Sequence, residues 1–250
     1  MKLVRYANNG PASFGTLADG LITPLDGNLK PSGAGPVALN AVRLLAPVTP
    51  SKIVAIGLNY ADHAAEANRE LPKEPMLFIK PSTAVIGPSD EIIYPAQTSN
   101  LHYEGELAIV IGKTAKNVPM ADARRYVLGY TCANDVTARD LQRRDVQFTR
   151  GKGFDTFAPL GPWIVTDLDP SDLAIQTRLN GVVRQNSRTS KLIFNCDYLI
   201  NFISAVMTLL PGDVISTGTS AGVGPMEPGD TVEVEIEHIG CLRNTIAAPR

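Results

Sequence analysis

Apolar and polar positions along this chain fall into short alternating runs rather than long helical stripes. The runs at 53–57, 76–80, 101–112, 129–133, 162–166, 174–179, 213–217 and 231–236 are rich in Val, Ile, Leu and Thr, a pattern that predicts strands. Helical spacing is confined to 62–68, 120–126, 138–148 and 198–208. Strands outnumber helices and do not alternate with them regularly, which argues against a doubly wound parallel sheet or a (β/α)8 barrel. The expected class is β-rich α+β, a roll or barrel with peripheral helices.

The first fifty residues read differently. Strand candidates at 2–6 and 13–17 are separated by the turn cluster Asn8-Asn9-Gly10-Pro11, and Ala18-Asp19-Gly20-Leu21 is a hairpin signal because Asp-Gly supplies positive φ. Gly, Pro, Asn and Ser then crowd 27–36, and Pro47 and Pro50 follow. This predicts a small β appendage over 1–50 joined to the main domain over 51–250.

Composition narrows the function classes. Of 250 residues, 44% are hydrophobic and 19% charged, with 23 basic against 25 acidic side chains for a net charge of −2. A chain so balanced has no sequence-wide electrostatic reason to bind nucleic acid or an acidic membrane surface. Cys132, Cys196 and Cys241 form no C-x-x-C pair, so neither a disulfide framework nor a thiolate zinc site is expected, and free thiols in a reducing compartment fit best. Met1-Lys2-Leu3-Val4-Arg5-Tyr6 lacks the apolar core of a signal peptide, and no apolar run approaches the roughly 18 residues of a membrane span. The expected location is cytoplasmic.

Three acidic positions carry the first chemical signal. Glu104 and Glu106, in His102-Tyr103-Glu104-Gly105-Glu106-Leu107, project from one face of a strand about 7 Å apart. They form either a solvated strand end or a pair whose repulsion a divalent cation relieves. Asp135, in Asn134-Asp135-Val136-Thr137-Ala138-Arg139-Asp140, falls at a break between strand and helix, with Thr137 a candidate cap. It is either a plain capping residue or a third oxygen ligand. An all-carboxylate set suits Mg²⁺, Mn²⁺ or Ca²⁺ better than zinc or copper.

Other side chains surround this signal. His63 and Glu66 are three apart on one helix face, where a carboxylate holding one ring N–H makes the other nitrogen a base; ordinary surface pairs share that spacing. His102 shares the face of Glu104, as a ligand or as its support. Arg139 and Gln142 are likewise three apart, and Lys152 lies between Gly151 and Gly153. Thr217-Gly218-Thr219-Ser220 follows a strand and can bind a carboxylate through backbone N–H groups and a hydroxyl. It is not G-x-G-x-x-G, which excludes a dinucleotide site.

Taken in order, these segments resemble the fumarylacetoacetate hydrolase family, in its shorter members: acylpyruvases, fumarylpyruvate hydrolases and the isomerase/decarboxylases of homoprotocatechuate breakdown. The likeness rests on Gly57-Leu58-Asn59-Tyr60-Ala61-Asp62-His63, Phe78-Ile79-Lys80-Pro81-Ser82, the Glu104–Glu106 and Asp135 segments, Gly151-Lys152-Gly153-Phe154-Asp155 and Thr217-Gly218-Thr219. The resemblance implies a β-roll or barrel, usually a homodimer. It implies Glu104, Glu106 and Asp135 as ligands of Mg²⁺, Mn²⁺ or sometimes Ca²⁺, and His63 and Glu66 as the pair that activates water. It implies Gln142, Lys152 and Thr219, with Arg139 beside them, as holders of a 2-oxo acid. The expected activity is cleavage of a C–C bond in a β-diketo acid, such as an acylpyruvate or fumarylpyruvate, through a metal-chelated enolate. The alternatives are a decarboxylase or isomerase of an unsaturated 2-oxo dicarboxylate from aromatic catabolism, and a non-catalytic binding relative. A second acidic group on the substrate needs a further cation, which Arg143 or Arg144 can supply, although their helical phase differs from that of Arg139 and Gln142.

Overall fold

The computed structural model describes every residue except Asn9, Ala67 and Arg250, so Asn9 of the expected turn and Ala67 of the expected helix 62–68 lie outside the described residues. Strands dominate, in three sheets. The largest runs in the order Val37–Ala38, Leu21–Leu25, Ser13–Ala18, Lys2–Ala7, Ala158–Val165, Val127–Asn134, Gly105–Ile111, Val214–Thr219, Ile53–Gly57, Met76–Lys80. A five-stranded sheet joins Val182–Arg188, Ala174–Leu179, Thr231–Ile236, Gly240–Ala247 and Glu91–Ile93, and a three-stranded one joins Thr137–Ala138, Leu101–Tyr103 and Gly224–Met226. This is the β-rich class read from the sequence. No helix among the described residues is long and apolar enough to cross a membrane.

The N-terminal strands turn at Asp19-Gly20, both at positive φ, and Lys2–Ala7 pairs with Ala158–Val165 in register Leu3↔Ile164, so they extend the main sheet. At the centre, Gly105–Ile111 is buried on both faces. Leu107, Ile109 and Ile111 pack with the helix Cys196–Val206 and with Ile175, Val234 and Ile236 of the five-stranded sheet. Ala108 and Val110 pack on the other face with Ile53, Leu160 and Val214. A strand so enclosed holds whatever its first residues carry in a fixed place.

Two expected elements are broken, and both breaks shape the site. The run 101–112 is two strands: Leu101–Tyr103 belongs to the small sheet and Gly105–Ile111 to the large one, with Glu104 at the joint. The expected helix 138–148 ends at Arg144, where Asp145 is extended (φ −88, ψ 144) and its carboxylate takes two bonds from Arg150 at 2.8 and 2.5 Å. The chain folds back as the four-residue helix Thr149–Lys152. Gly151 permits this, since a Cβ there would stand 2.9 Å from the Gln142 nitrogen. Lys152 therefore closes a short helix rather than sitting in an open loop.

Candidate active site

The register of the central strands brings three carboxyls together. Gly105 pairs with Asn134, so Glu104 and Glu106 flank the point where Asp135 leaves its strand. One oxygen from each of Glu104, Glu106 and Asp135 lies within 4.8 Å of the others, and all three residues are buried. The backbone fixes this approach: Asp135 N–H donates to Glu104 O at 2.8 Å, and Glu104 N–H to Asn134 Oδ1 at 2.9 Å. Glu106 Oε2 accepts from Ser216 Oγ at 2.6 Å and from Gly218 N–H at 2.8 Å. Gly218 has φ +99, and a Cβ there would lie 2.7 Å from Asn59 Cβ, so glycine is what lets this donor approach. Thr137 is not a helix cap; its hydroxyl donates to Asp135 O at 2.8 Å, and the helix begins after Ala138 with no side-chain cap.

Cations wrap the trio. Lys152 Nζ donates to Glu104 Oε2 at 2.7 Å and Asp135 Oδ2 at 2.5 Å. Lys80 Nζ binds the other Asp135 oxygen and donates to Val136 O at 3.1 Å. Arg139 binds Glu104 through Nη2 and Gln142 Oε1 through Nη1, the latter at 2.5 Å. Burial works against the charge on Glu104, but Lys152 and Arg139 hold its carboxyl well below the usual range. Glu106 has no such cation against it: burial, then the Asp135 and Glu104 charges, push it up to about 8. Burial lowers Lys80, whereas the Asp135 and Glu104 carboxylates more than offset the effect of burial on Lys152 and raise it.

This donor set fits a divalent cation. It is all oxygen, it converges, and burial together with the facing carboxylates raises one member, a penalty that a bound cation would oppose. The orphaned polar atoms point the same way. Tyr60 Oη, His102 Nδ1, Asn134 Nδ2 and Thr177 Oγ1 are the buried side-chain atoms without a partner among the described residues. Each belongs to the surroundings of 102–106: Thr177 Oγ1 abuts Gly105, burial and then the Glu106 charge oppose ionisation of Tyr60, and Asn134 bonds Glu104. Unsatisfied groups are rare in folded interiors, and here they cluster on one spot.

A cavity of about 610 Å³ reaches Glu104 of the trio, and its wall also includes His63, Glu66, Arg139, Gln142, Lys152 and Thr219. Glu106 and Asp135 are not on that wall and meet it through Glu104 and Lys152. The helix Ala61–Glu66 presents His63 Nδ1 to Glu66 Oε2 at 3.2 Å, and Gly222 N–H donates to Glu66 Oε1 at 3.1 Å. The hydroxyl of Thr219 is engaged within the protein, donating to Gly105 O at 3.0 Å and accepting from Gln185 Nε2 at 2.7 Å. His102 lines the cavity with Nε2 on Asn100 Oδ1 at 2.8 Å, and burial, then Arg139, lowers it to about 4.

Arg143 lies one turn beyond Arg139 and joins the same wall, whereas Arg144 does not, which corrects the phase assigned to Arg143. Lys80 and Asn134 stood in the quoted motifs without an assigned role, and Gln185 escaped sequence reasoning. A lysine closing the run Met76–Lys80 was the available signal for the first. Nothing local marks Gln185, which reaches Gly105 N–H, Thr219 and Ser220 from the other sheet.

Comparison with known proteins agrees with this geometry. Residues 52–247 match the model described as fumarylacetoacetate (FAA) hydrolase C-terminal, and residues 1–47 match one described as Rv2993c-like, N-terminal. The chain is 42% identical to the mitochondrial oxaloacetate tautomerase FAHD2A of Bos taurus, over 98% of this chain and 79% of that one. Among solved structures, it is similar to 5-carboxymethyl-2-hydroxymuconate delta-isomerase from Mycobacterium smegmatis (50% identity, TM-score 0.93, 99% of this chain and 100% of that one). It is also similar to maleylpyruvate hydrolase from Sphingobium sp. SYK-6, solved with manganese(II) and pyruvate (31% identity, TM-score 0.85, 100% of both chains).

Proposed function

The chain belongs to the fumarylacetoacetate hydrolase family, and from that premise we propose that it hydrolyses a C–C bond of a β-diketo acid of the acylpyruvate or fumarylpyruvate kind, with a divalent cation. The observation that carries this reading is one cavity wall bearing both a His–Glu pair and the edge of a buried carboxylate trio. Glu104, Glu106 and Asp135 would hold Mg²⁺ or Mn²⁺, with Ca²⁺ a further candidate. Bound there, the ion supplies Lewis-acid polarisation of the substrate's 2-oxo and carboxylate oxygens.

The protein's own groups do the rest. With Nδ1–H of His63 donated to Glu66, Nε2 carries the lone pair and takes the proton from the attacking water. Gly222 N–H holds the Glu66 carboxylate aimed at the ring. Lys152 places a fixed positive charge beside the oxygen on which negative charge develops as the bond breaks. Arg139 and Gln142, tied to each other and to Glu104, orient the acid end of the substrate, and Thr219 shapes the wall beneath it.

A second reading, keto–enol isomerisation of a 2-oxo acid, is favoured by the names of the 50% and 42% identical relatives. It uses the same trio and Lys152, with His63 moving a proton to and from carbon instead of from water. One experiment separates the readings. Acylpyruvates, fumarylpyruvate and the enol form of oxaloacetate are supplied with Mn²⁺ or with EDTA. Mn²⁺-dependent release of pyruvate supports hydrolysis, ketonisation without cleavage supports the second reading, and full activity in exhaustive EDTA refutes both. A homodimer, a cytoplasmic location and a division near residue 50 belong to the same proposal; light scattering, cell fractionation and limited proteolysis test them.

A further inference from the structure

Each acid of the trio has one oxygen already taken by donors other than Lys152. Arg139 Nη2 takes Oε1 of Glu104, Ser216 Oγ and Gly218 N–H share Oε2 of Glu106, and Lys80 Nζ takes Oδ1 of Asp135. Lys152, on the cavity wall, donates to the second oxygens of Glu104 and Asp135, at 2.7 and 2.5 Å. The oxygens left to face an ion are therefore one per acid. Among these donors Lys80 has no other task. It closes the edge strand Met76–Lys80, its side chain is 1% exposed, and among the described residues its ammonium bonds only Asp135 Oδ1 and Val136 O. It is not on the cavity wall, so it meets no ligand there.

We propose that Lys80 is a positioning residue that restricts Asp135 to one inward oxygen and, with the donors behind Glu104 and Glu106, makes the trio prefer Mn²⁺ or Mg²⁺ to Ca²⁺. This deepens the proposed function and rests on its metal site. Ca²⁺ gathers about six to eight oxygens and gains from carboxylates that bind through both of theirs, whereas Mg²⁺ asks for a regular set of six at shorter range. Turning both Asp135 oxygens inward would strip Lys80 of its counter-charge. A buried ammonium with no water to replace that partner resists the turn. Arg139 holds Glu104 in the same way but also lines the cavity, and Gly218 N–H doubles the hold of Ser216 on Glu106. Lys80 therefore isolates the effect.

The test reads ion binding, not turnover. EDTA-treated protein is loaded with Mn²⁺, Ca²⁺ is titrated in, and electron paramagnetic resonance counts the Mn²⁺ released. Wild type should bind Ca²⁺ at least about tenfold more weakly than Mn²⁺, and in Lys80→Met the ratio should fall toward one, the low end of the effect expected of residues that support ligands. Removing a positive charge changes the affinity of both divalent ions, but the ratio between ions of equal charge cancels that contribution. Asp213→Ala, a change in a buried carboxylate outside the trio, should leave the ratio as in wild type. Should K80M fail to fold, S216A decides, because it loosens Oε2 of Glu106 and should lower the ratio in the same direction. Equal affinities in wild type, an unchanged ratio in K80M (or in S216A where K80M does not fold), or an equal shift in D213A each overturn the inference and leave the proposed function standing. If wild type binds no Mn²⁺, both fall. If the selectivity is as expected but no 2-oxo acid turns over, the function fails and the role of Lys80 remains.

Discussion

Two buried carboxylate sites in this molecule are arranged in opposite ways. Asp213 is fully buried and collects donors from three residues: Ser51 N–H at 3.1 Å and Oγ at 2.6 Å, Lys52 N–H at 3.2 Å and Nζ at 2.5 Å, and Leu210 N–H at 2.8 Å. Burial opposes its charge, but these bonds and Lys52 hold the carboxyl below its usual range. At Glu104, Glu106 and Asp135 the acids face one another, and one of them is pushed up to about 8. The first site is electrostatically closed and staples the start of the main body, at 51–52, to the strand Val214–Thr219. The second pairs Glu104 and Asp135 with cations but leaves Glu106 facing both carboxylates, a repulsion that Lys152 offsets only in part. Burial alone does not separate a structural acid from a functional one; the sign of what faces it does.

The largest effect expected from that contrast is on the trio. Glu106→Gln keeps shape and hydrogen bonding but removes a ligand charge, and should weaken Mn²⁺ binding by at least about 100-fold, the upper range for residues that merely support ligands. Electron paramagnetic resonance counts the free ion; binding at wild-type affinity would show that Glu106 is no ligand. His63→Ala should lower kcat by about 10²–10⁴-fold, the contribution of a positioned base. Mn²⁺ binding measured on the same sample separates a lost base from a damaged site.

The Asp213 site answers in stability instead. Asp213→Ala leaves Lys52 Nζ and four backbone or hydroxyl donors without their acceptor and should cost about 3 kcal/mol in urea unfolding. A cost below about 1 kcal/mol would place this staple with exposed pairs such as Arg43–Asp90. Somewhat smaller is the effect of adding metal: Mn²⁺ at 100 times its Kd should stabilise wild type and D213A alike by about 2.7 kcal/mol, and E106Q by far less. An equal gain in E106Q would move the binding site elsewhere.

Much of this contrast was legible in the sequence, and the illegible part has a physical cause. The runs at 53–57, 76–80 and 174–179 match observed strands: 53–57 is buried on both faces and so demands apolar side chains, 174–179 buries alternate positions, and 76–80 is an apolar run on an edge strand with Met76 and Ile79 exposed. The Glu-x-Glu pair was readable as chemistry because charge at the head of such a strand contradicts its surroundings. The break at Glu104 was not, since it is made by pairing with two different sheets, and no local propensity encodes a partner hundreds of atoms away. For the same reason nothing local marked Asp213, read only as the first residue of the strand run 213–217, as the acceptor of Ser51 and Lys52, or Gln185 as a partner of Gly105 and Thr219. Arg143 was misjudged on phase alone, although a spacing of four from Arg139 puts both on one helix face.

The smallest expected effect is also the one that sets the two sites against each other most directly, because their pH slopes have opposite signs. Asp213 has a folded-state pKa below its unfolded value, so its contribution is complete above about pH 4 and is lost as pH falls further. Glu106 is raised to about 8, so the folded protein holds a proton that the unfolded chain has released, and metal-free stability falls as pH rises from about 4.5 to 8. His102, lowered to about 4, releases its proton on folding and works the other way below its ordinary 6.5. The Glu106 contribution is therefore clearest between pH 6.5 and 8, where one proton over 1.5 pH units is worth about 2 kcal/mol. Urea unfolding of EDTA-treated protein across that window should show wild type losing stability relative to E106Q, whose amide does not titrate. Saturating Mn²⁺ should remove the difference in slope, since a ligand carboxylate is ionised throughout. Parallel wild-type and E106Q profiles would mean that Glu106 is already ionised in the empty site, and the trio would then be a closed ionic cluster of the Asp213 kind.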